Sequence, residues 1–257
     1  MSEIRVMSFN IRNSCDTGTE SWEARKNNFV RLVKNAFPDL IGFQEVLHNQ
    51  YVDLIEYFPE YASAGVGRDD GVTSGEYAAI FYKKARFTLI ETDNFWLSET
   101  PVKPSMGWDA VCIRICTYVK LSDNKTQKEF IHYNTHLDHV GQTAMLEGAK
   151  LIRKTVLDKK NASVITGDFN VQEKSGPYNI MTQPGLSDAK YTAKSSMSHG
   201  TFHGYNPSGT IQNDSPIDYL FYTDGDFDIE TYNVLVNGGE GEYTSDHYPV
   251  LVTLLQR

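Results

Sequence analysis

Asp168 and Asn170 stand two apart in Gly167-Asp168-Phe169-Asn170, directly after the apolar, β-branched run of residues 162–166. In an extended segment that spacing turns a carboxylate and a carboxamide to one side. The first attracts a proton or cation and the second donates a hydrogen bond to an anion. A plain turn is the competing reading, because Asp and Asn after Gly are common turn formers. What tips the balance is that other apolar runs end in matching chemistry. Residues 39–45 close on Glu45, an oxygen ligand of the kind that suits Mg²⁺, and residues 4–11 close with Asn10 as a further oxygen donor. His136 ends the run 129–136, Asp246 and His247 precede the last apolar run, and Asp218 opens another. A carboxylate bonded to one imidazole nitrogen fixes the tautomer that the other presents.

Together these residues are the parts that metal-assisted phosphoester hydrolysis requires. A cation polarises the phosphoryl oxygen, a base takes a proton from water, and imidazole and amide donors stabilise the charge that develops. Taken singly, each residue also reads as an ordinary surface or turn group.

The elements that must position them follow from periodicity. Residues 4–11 read as a first strand. Phe29, Leu32, Val33, Ala36 and Phe37 recur at helical spacing within 22–37, and Pro38 stops that helix. Residues 39–45 form a second strand. Tyr51, Leu54, Ile55 and Phe58 mark a second helix closed by Pro59. Strands are expected over 61–66, 77–84, 87–92, 111–121 and 129–136, separated by turn residues. Met145, Ala149, Ile152 and Val156 mark a third helix, and strands return at 162–166, 217–222, 227–236 and 249–255. This order suits two mixed sheets packed face to face with helices outside, so that strand ends at one edge line a single cleft. No repeat or linker divides the chain, and residues 1–257 are expected to form one domain.

Composition narrows the partners. At 257 residues the chain is long enough to bury roughly three quarters of its unfolded surface. Lys and Arg number 24 against 33 Asp and Glu, a net charge of −9, and no dense basic tract is present. That balance disfavours a grip on long nucleic acid, whose affinity rests on phosphate neutralisation. No stretch approaches the roughly 20 apolar residues of a membrane span, and no signal peptide is evident, so no membrane or protein partner is expected and the default location is cytoplasmic. Cys112 and Cys116, placed on one strand, would lie about 13 Å apart, too far for a disulfide, and reduced cysteines are expected.

The ordered blocks Ser8-Phe9-Asn10-Ile11-Arg12, Gln44-Glu45-Val46, Asn134-Thr135-His136-Leu137, Gly167-Asp168-Phe169-Asn170 and Ser245-Asp246-His247-Tyr248-Pro249-Val250 resemble the signature of the endonuclease/exonuclease/phosphatase superfamily, the DNase I-like fold. The resemblance implies a four-layer α-β-β-α sandwich, class α/β (α+β), and Mg²⁺ or Mn²⁺ as cofactor. It implies Glu45 as main metal ligand with Asn10 and Asp246 near the ion, and Asp168 orienting or deprotonating water. Asn170 would hold a phosphoryl oxygen, and His136 and His247 would contact the phosphate, with Asp218 orienting His247. Glu76 resembles the family acid that pairs with the other histidine, His136.

A finer resemblance is to a small bacterial subgroup similar to the deadenylase-like branch. It is carried by residues 67–71, 95–101, 107–109 and Thr201-Phe202-His203-Gly204, loops that the hydrolytic chemistry does not itself require. Arg68 and Arg114 are candidate phosphate contacts, because guanidinium grips phosphate with a two-pronged fork. Trp96, Trp108, Phe202 and His203 are candidate substrate contacts, the aromatic rings as stacking platforms or equally as packing. The expected reaction is divalent-metal-dependent hydrolysis of a phosphodiester or phosphomonoester on a small phosphorylated metabolite or a short oligonucleotide. An RNA exonuclease of deadenylase type, or a non-catalytic binding module on the same fold, are the alternatives.

Overall fold

A computed structural model of the chain describes residues 2–206, 215–236 and 243–257. Its elements run β1 (Glu3–Asn10), α1 (Trp22–Ala36), β2 (Leu40–Val46), α2 (His48–Tyr57), β3 (Tyr61–Ala64), β4 (Tyr77–Lys83), β5 (Phe87–Trp96), β6 (Ile115–Asp123), β7 (Glu129–His136) and α3 (Gln142–Lys159). They continue with β8 (Ser163–Asp168), α4 (Gly176–Met181), β9 (Leu186–Asp188), α5 (Ala189–Thr192), β10 (Ser195–Met197), β11 (Asp218–Thr223), β12 (Phe227–Val234) and β13 (Val250–Gln256). One sheet has the order β10-β12-β13-β1-β2-β4-β3 and the other β5-β6-β7-β8-β11-β9. The first helix starts where the Ser21 side chain accepts from the Ala24 N–H and stops at Phe37 in the left-handed region, one residue before Pro38.

Alternation along the strands builds four layers. Ile4 and Val6 of β1 pack between the sheets with Phe130 of β7, Val164 of β8 and Leu220 of β11. Met7 and Phe9 turn the other way, onto Phe29 and Val33 of α1 and Leu54 of α2. On the second sheet Ile131, Tyr133 and Ile165 pack outward on Ala149, Ile152 and Val156 of α3. This is the α-β-β-α sandwich expected of the DNase I-like fold.

Continuing the same parity carries Ser8, Asn10, His132, Asn134, His136, Thr166, Asp168 and Asp218 onto the inner faces, so one end of the inter-sheet space is polar. Deep within it, Asn134 donates to the backbone oxygens of Phe43 (2.8 Å) and Ala79 (2.9 Å). Its own oxygen accepts from Gln44 (2.7 Å) and Thr166 (3.0 Å). The sheets meet closely there because Gly42 has no side chain. A Cβ at that position would lie 2.1 Å from Thr166 Oγ1 and 2.5 Å from Asn134 Oδ1.

One expectation is corrected. Residues 111–114 are not strand, since β6 begins at Ile115, and the segment is drawn to Asp138, whose Oδ1 accepts from the Val111 N–H at 3.3 Å. Cys112 therefore reaches the cleft while Cys116 stays in the core. All three cysteines are free thiols. The stretch between β8 and β11 also holds two short helices and two short strands that periodicity did not reveal, each being six residues or fewer. Among the described residues no helix is long and apolar enough to cross a membrane.

Candidate active site

Strand direction gathers the polar residues at one edge. The pairs β1/β2 and β7/β8 are parallel, so Asn10, Glu45, His136 and Asp168 all lie where strands end. Antiparallel β11 begins opposite Asp168, with Asp218 in register with it. The segment before β13 returns His247 beside them, held by a bridge to Phe202. The resulting cleft has a volume of about 470 Å³.

Three lining residues depart from regular backbone, Arg12 at φ 55° together with Glu45 and Asn170. Alternation would place Glu45 with Ile41 and Phe43, toward the helices. A bulge between Phe43 and Val46, with Glu45 in the left-handed region at φ 60°, turns its carboxylate into the cleft instead. Asn170 likewise has φ 51°, so it does not continue an extended segment with Asp168. An Asx turn connects them, the Asn170 N–H donating to Asp168 Oδ1 at 2.9 Å. The two residues do converge, but through a turn and not through strand alternation.

The carboxylates form a linked set. Asn10 Nδ2 donates to Glu45 Oε1 (3.0 Å) and Asp168 Oδ2 (2.9 Å), while Asn10 Oδ1 accepts from the Arg12 N–H (2.9 Å). The Arg12 guanidinium lies 3.8 Å from Glu45 and 3.9 Å from Asp246. Burial, and then repulsion from Glu45, pushes the Asp246 carboxyl above its ordinary range. Burial and then Asp218 do the same to Asp168. Such crowding of desolvated carboxylates suits a hard divalent cation, which takes oxygen ligands.

The two histidines differ in charge. His247 Nδ1 is 2.8 Å from Asp218 Oδ2, and its Nε2 is 3.7 Å from Asp168. Burial opposes protonation of His247, but Asp218 overcomes it and holds the ring as imidazolium. His136 is pushed the opposite way, first by burial and then by the facing Arg114 and Arg68, and is neutral. Asn170 Nδ2 donates to His136 Nε2 (2.9 Å) and to the Leu137 carbonyl (3.0 Å), which leaves the His136 proton on Nδ1.

Glu76 does not pair with His136. Its carboxylate accepts from Arg68 and, at 3.3 Å, from Asn13, and Asn13 Nδ2 stands at the same distance from Glu45 Oε2. The guanidinium offers a charge and two directed donors, which a neutral imidazole cannot match. Arg68, Arg114 and Phe202 line the cleft as expected. Trp96 does not. It is buried beside a different cavity, its indole N–H donating to the Arg68 carbonyl at 2.6 Å. Trp108 is not part of the cleft lining, and its backbone N–H is held by Glu99. His203 is buried against the Tyr248 ring at 4.3 Å and also lies outside the lining.

Other lining residues were not among the expected site residues: Arg12, Asn13, Cys112 and His139. Arg12 sat within a quoted block, and its signal was its place two residues after a strand-ending Asn. No local pattern could have revealed Arg25. Fully buried on α1, it donates to the carbonyls of Ile11, Arg12, Asn13 and Thr244 and so ties the Arg12 loop to the segment carrying Asp246. Among the described residues two groups of side chains present ligand atoms within 4.8 Å of one another, Asp168 with Asp218 and His247, and Cys112 with Asp138 and His139. The carboxylates of the first group suit an ion, whereas its His247 ring, charged and bonded to Asp218, offers no lone pair.

Comparison with known proteins agrees with this geometry. A model described as Endonuclease/Exonuclease/phosphatase family matches residues 7–247. The crystal structure of the endonuclease/exonuclease/phosphatase from Bacteroides vulgatus is 36% identical, with a TM-score of 0.93 and 100% of both chains covered. The Bacteroides thetaiotaomicron mannosyl-6-phosphatase is 34% identical, with a TM-score of 0.91 over 98% of this chain and 99% of that one. Carbon catabolite repressor protein 4 homolog 3 of Arabidopsis thaliana is 24% identical over 180 residues, covering 67% of this chain and 38% of that one.

Proposed function

This chain belongs to the endonuclease/exonuclease/phosphatase family and is a metal-dependent phosphoesterase, and from that premise we propose that it removes a phosphate monoester from a small metabolite of about sugar size. The observation that carries the reading is the cleft itself. Among the described residues its lining holds Arg12, Arg68 and Arg114 and, apart from the imidazoles of His136, His139 and His247, one aromatic ring, that of Phe202, 49% exposed. A track for single-stranded nucleic acid would use a series of stacking rings, and Trp96 and Trp108 lie elsewhere. One ring beside a charged cleft suits one sugar with its phosphate. The 34% identity to a mannosyl-6-phosphatase over nearly the whole chain supports the same class. Both sheets supply the cleft, which supports reading residues 1–257 as one domain.

In this proposal Mg²⁺, or Mn²⁺, is held by Glu45 and Asp246, with Asn10 fixing the spacing of Glu45 and Asp168. The hard oxygen donors favour these ions over softer ones. When bound, the ion neutralises charge on the phosphoryl oxygens. Asp168 accepts a proton from the attacking water as its oxygen bonds to phosphorus. The bond from phosphorus to the ester oxygen breaks, and His247, charged by Asp218, protonates the departing alcohol. One water is consumed, and alcohol and inorganic phosphate are released. Asn170 orients neutral His136 toward the phosphoryl group, Glu76 holds Arg68, and Phe202 packs on the sugar.

The test is release of phosphate from a panel of sugar phosphates, nucleotides, poly(A) RNA and plasmid DNA, with Mg²⁺ or EDTA. Metal-dependent turnover fastest on a sugar phosphate and lost in Asp168→Ala is the expected result. Faster turnover of RNA than of any monoester would replace this reading with the exonuclease one, and binding without turnover would replace it with a binding module.

A further inference from the structure

A second set of ligating side chains stands apart from the carboxylates assigned to Mg²⁺. Cys112, Asp138 and His139 bring a sulfur, a carboxylate oxygen and a ring nitrogen within 4.8 Å of one another. Cys112 is a half-buried free thiol and His139 is exposed. Both line the cleft, so an ion arriving from solvent reaches them, while Asp138 is buried behind them. None of the three has a part in the hydrolytic steps.

Their spacing is that of a tetrahedral ion. Cys112 Sγ lies 3.5 Å from Asp138 Oδ1. Zinc bonds of about 2.3 Å to sulfur and about 2.0–2.1 Å to oxygen set those two atoms about 3.5 Å apart at the tetrahedral angle. The thiol proton, donated to Oδ1, fills the gap between them. Asp138 is held in place from the other side, its Oδ2 accepting from the Val140 (3.1 Å) and Gly141 (2.7 Å) N–H groups. Arg114 Nη2 donates to His139 Nδ1 at 3.1 Å, and because a guanidinium only donates, that ring nitrogen carries a lone pair.

Ligand type sorts the ions between the two places. Sulfur favours Zn²⁺ over Mg²⁺, whereas Glu45 and Asp246 offer oxygen alone. We propose that Cys112, Asp138 and His139 form a second metal site, selective for a thiophilic divalent ion such as Zn²⁺, and that its occupancy inhibits hydrolysis. The ion bonds to sulfur as the thiol proton leaves to solvent, and three protein ligands leave the fourth position to water. It also takes the His139 lone pair from Arg114 Nη2, and its charge repels the guanidinium. Arg114, with Nε 3.7 Å from Asp138, is a cation that faces His136, so displacing it disturbs the phosphate-binding wall.

Co²⁺ serves as the visible probe, titrated into wild-type protein with Mg²⁺ in excess and the thiols kept reduced. A thiolate-to-cobalt charge-transfer band in the near ultraviolet is expected, saturating at one ion per chain and reversed by Zn²⁺. Cys112→Ala should abolish the band and Cys15→Ala should keep it. His139→Gln should weaken Zn²⁺ binding at least about tenfold, the loss of one ligand. In parallel, Zn²⁺ should inhibit phosphate release at saturating Mg²⁺, and Cys112→Ala, scaled to its own zinc-free rate, should need at least about tenfold more. No band in the wild type, or a band kept in Cys112→Ala, would overturn the site. Because the first of these is read on the unsubstituted chain, a variant that fails to fold does not protect the idea. Zinc bound there with turnover unchanged would overturn the inhibition. Cobalt binding is measured without substrate, so its failure is distinct from a failure of the phosphomonoesterase reading.

Discussion

Asp218→Asn isolates what a single buried carboxylate contributes. Asp218 Oδ2 sits 2.8 Å from His247 Nδ1, Oδ1 has no hydrogen-bond partner, and both residues are almost fully buried. The substitution keeps the shape and removes the charge. If the carboxamide oxygen faces the ring, a neutral acceptor replaces a charged one. If the nitrogen faces it, two donors collide and the ring turns away. Removing one partner of a buried charged pair costs about 3–5 kcal/mol. At 1.36 kcal/mol for each tenfold, that full cost placed on the transition state is a fall in kcat of about 10² to 10⁴. The assay is phosphate release at saturating Mg²⁺ and substrate, with KM determined in parallel and the fold checked by urea unfolding. KM should move less than about threefold, because Asp218 acts through His247 and touches no substrate. A folded Asp218→Asn protein with kcat within threefold of wild type would refute the role given to the pair.

Three further outcomes are expected. Glu45→Gln should raise the Mg²⁺ concentration for half-maximal activity by at least about tenfold, since a neutral amide replaces a charged oxygen ligand, and an unchanged metal titration would remove Glu45 from the ion. Phe202→Ala should raise KM for a sugar phosphate by roughly three- to tenfold with little change in kcat, the loss expected of one ring contact of about 1 kcal/mol, and equal KM values would take Phe202 out of recognition. The third concerns acid stability. His132, wholly buried with Nε2 2.8 Å from Thr166 Oγ1, is pushed down to about 3 by burial. The unfolded chain binds this proton below about pH 6.5 and the folded chain does not until near pH 3, so stability is full above 6.5 and falls with pH through that window. Between pH 6.5 and 4.5 the loss amounts to about 3 kcal/mol at most. Urea midpoints should therefore drop more steeply with acid in wild type than in His132→Gln, and parallel slopes would contradict the assignment.

Strand parity was legible in the chain before any fold was known. Ile4, Val6, Ser8 and Asn10 share one face by the two-residue repeat, as do Val164, Thr166 and Asp168. Apolar runs ending in Asn10, His136 and Asp168 therefore announced which end of the sandwich would be polar, and the order of the blocks announced the family. Helix-length apolar spacing placed α1, α2 and α3 to within a few residues, because a half-buried helix cannot hide its period. The elements between β8 and β11 were too short to show one.

What only the tertiary structure decided are the departures from those repeats. Alternation sends Glu45 toward the helices, and a bulge with a left-handed backbone reverses it. Resemblance paired Glu76 with His136, yet Arg68, arriving on a loop eight residues earlier, takes that carboxylate. Three tryptophan and histidine candidates, Trp96, Trp108 and His203, fall outside the cleft for a similar reason: an aromatic ring reads alike in sequence whether it stacks on ligand or on its own fold. Periodicity records the average direction of a side chain. A bulge, an αL residue or a loop-borne ion pair is fixed by which distant group offers the better contact, and that choice exists only once the two sheets have met.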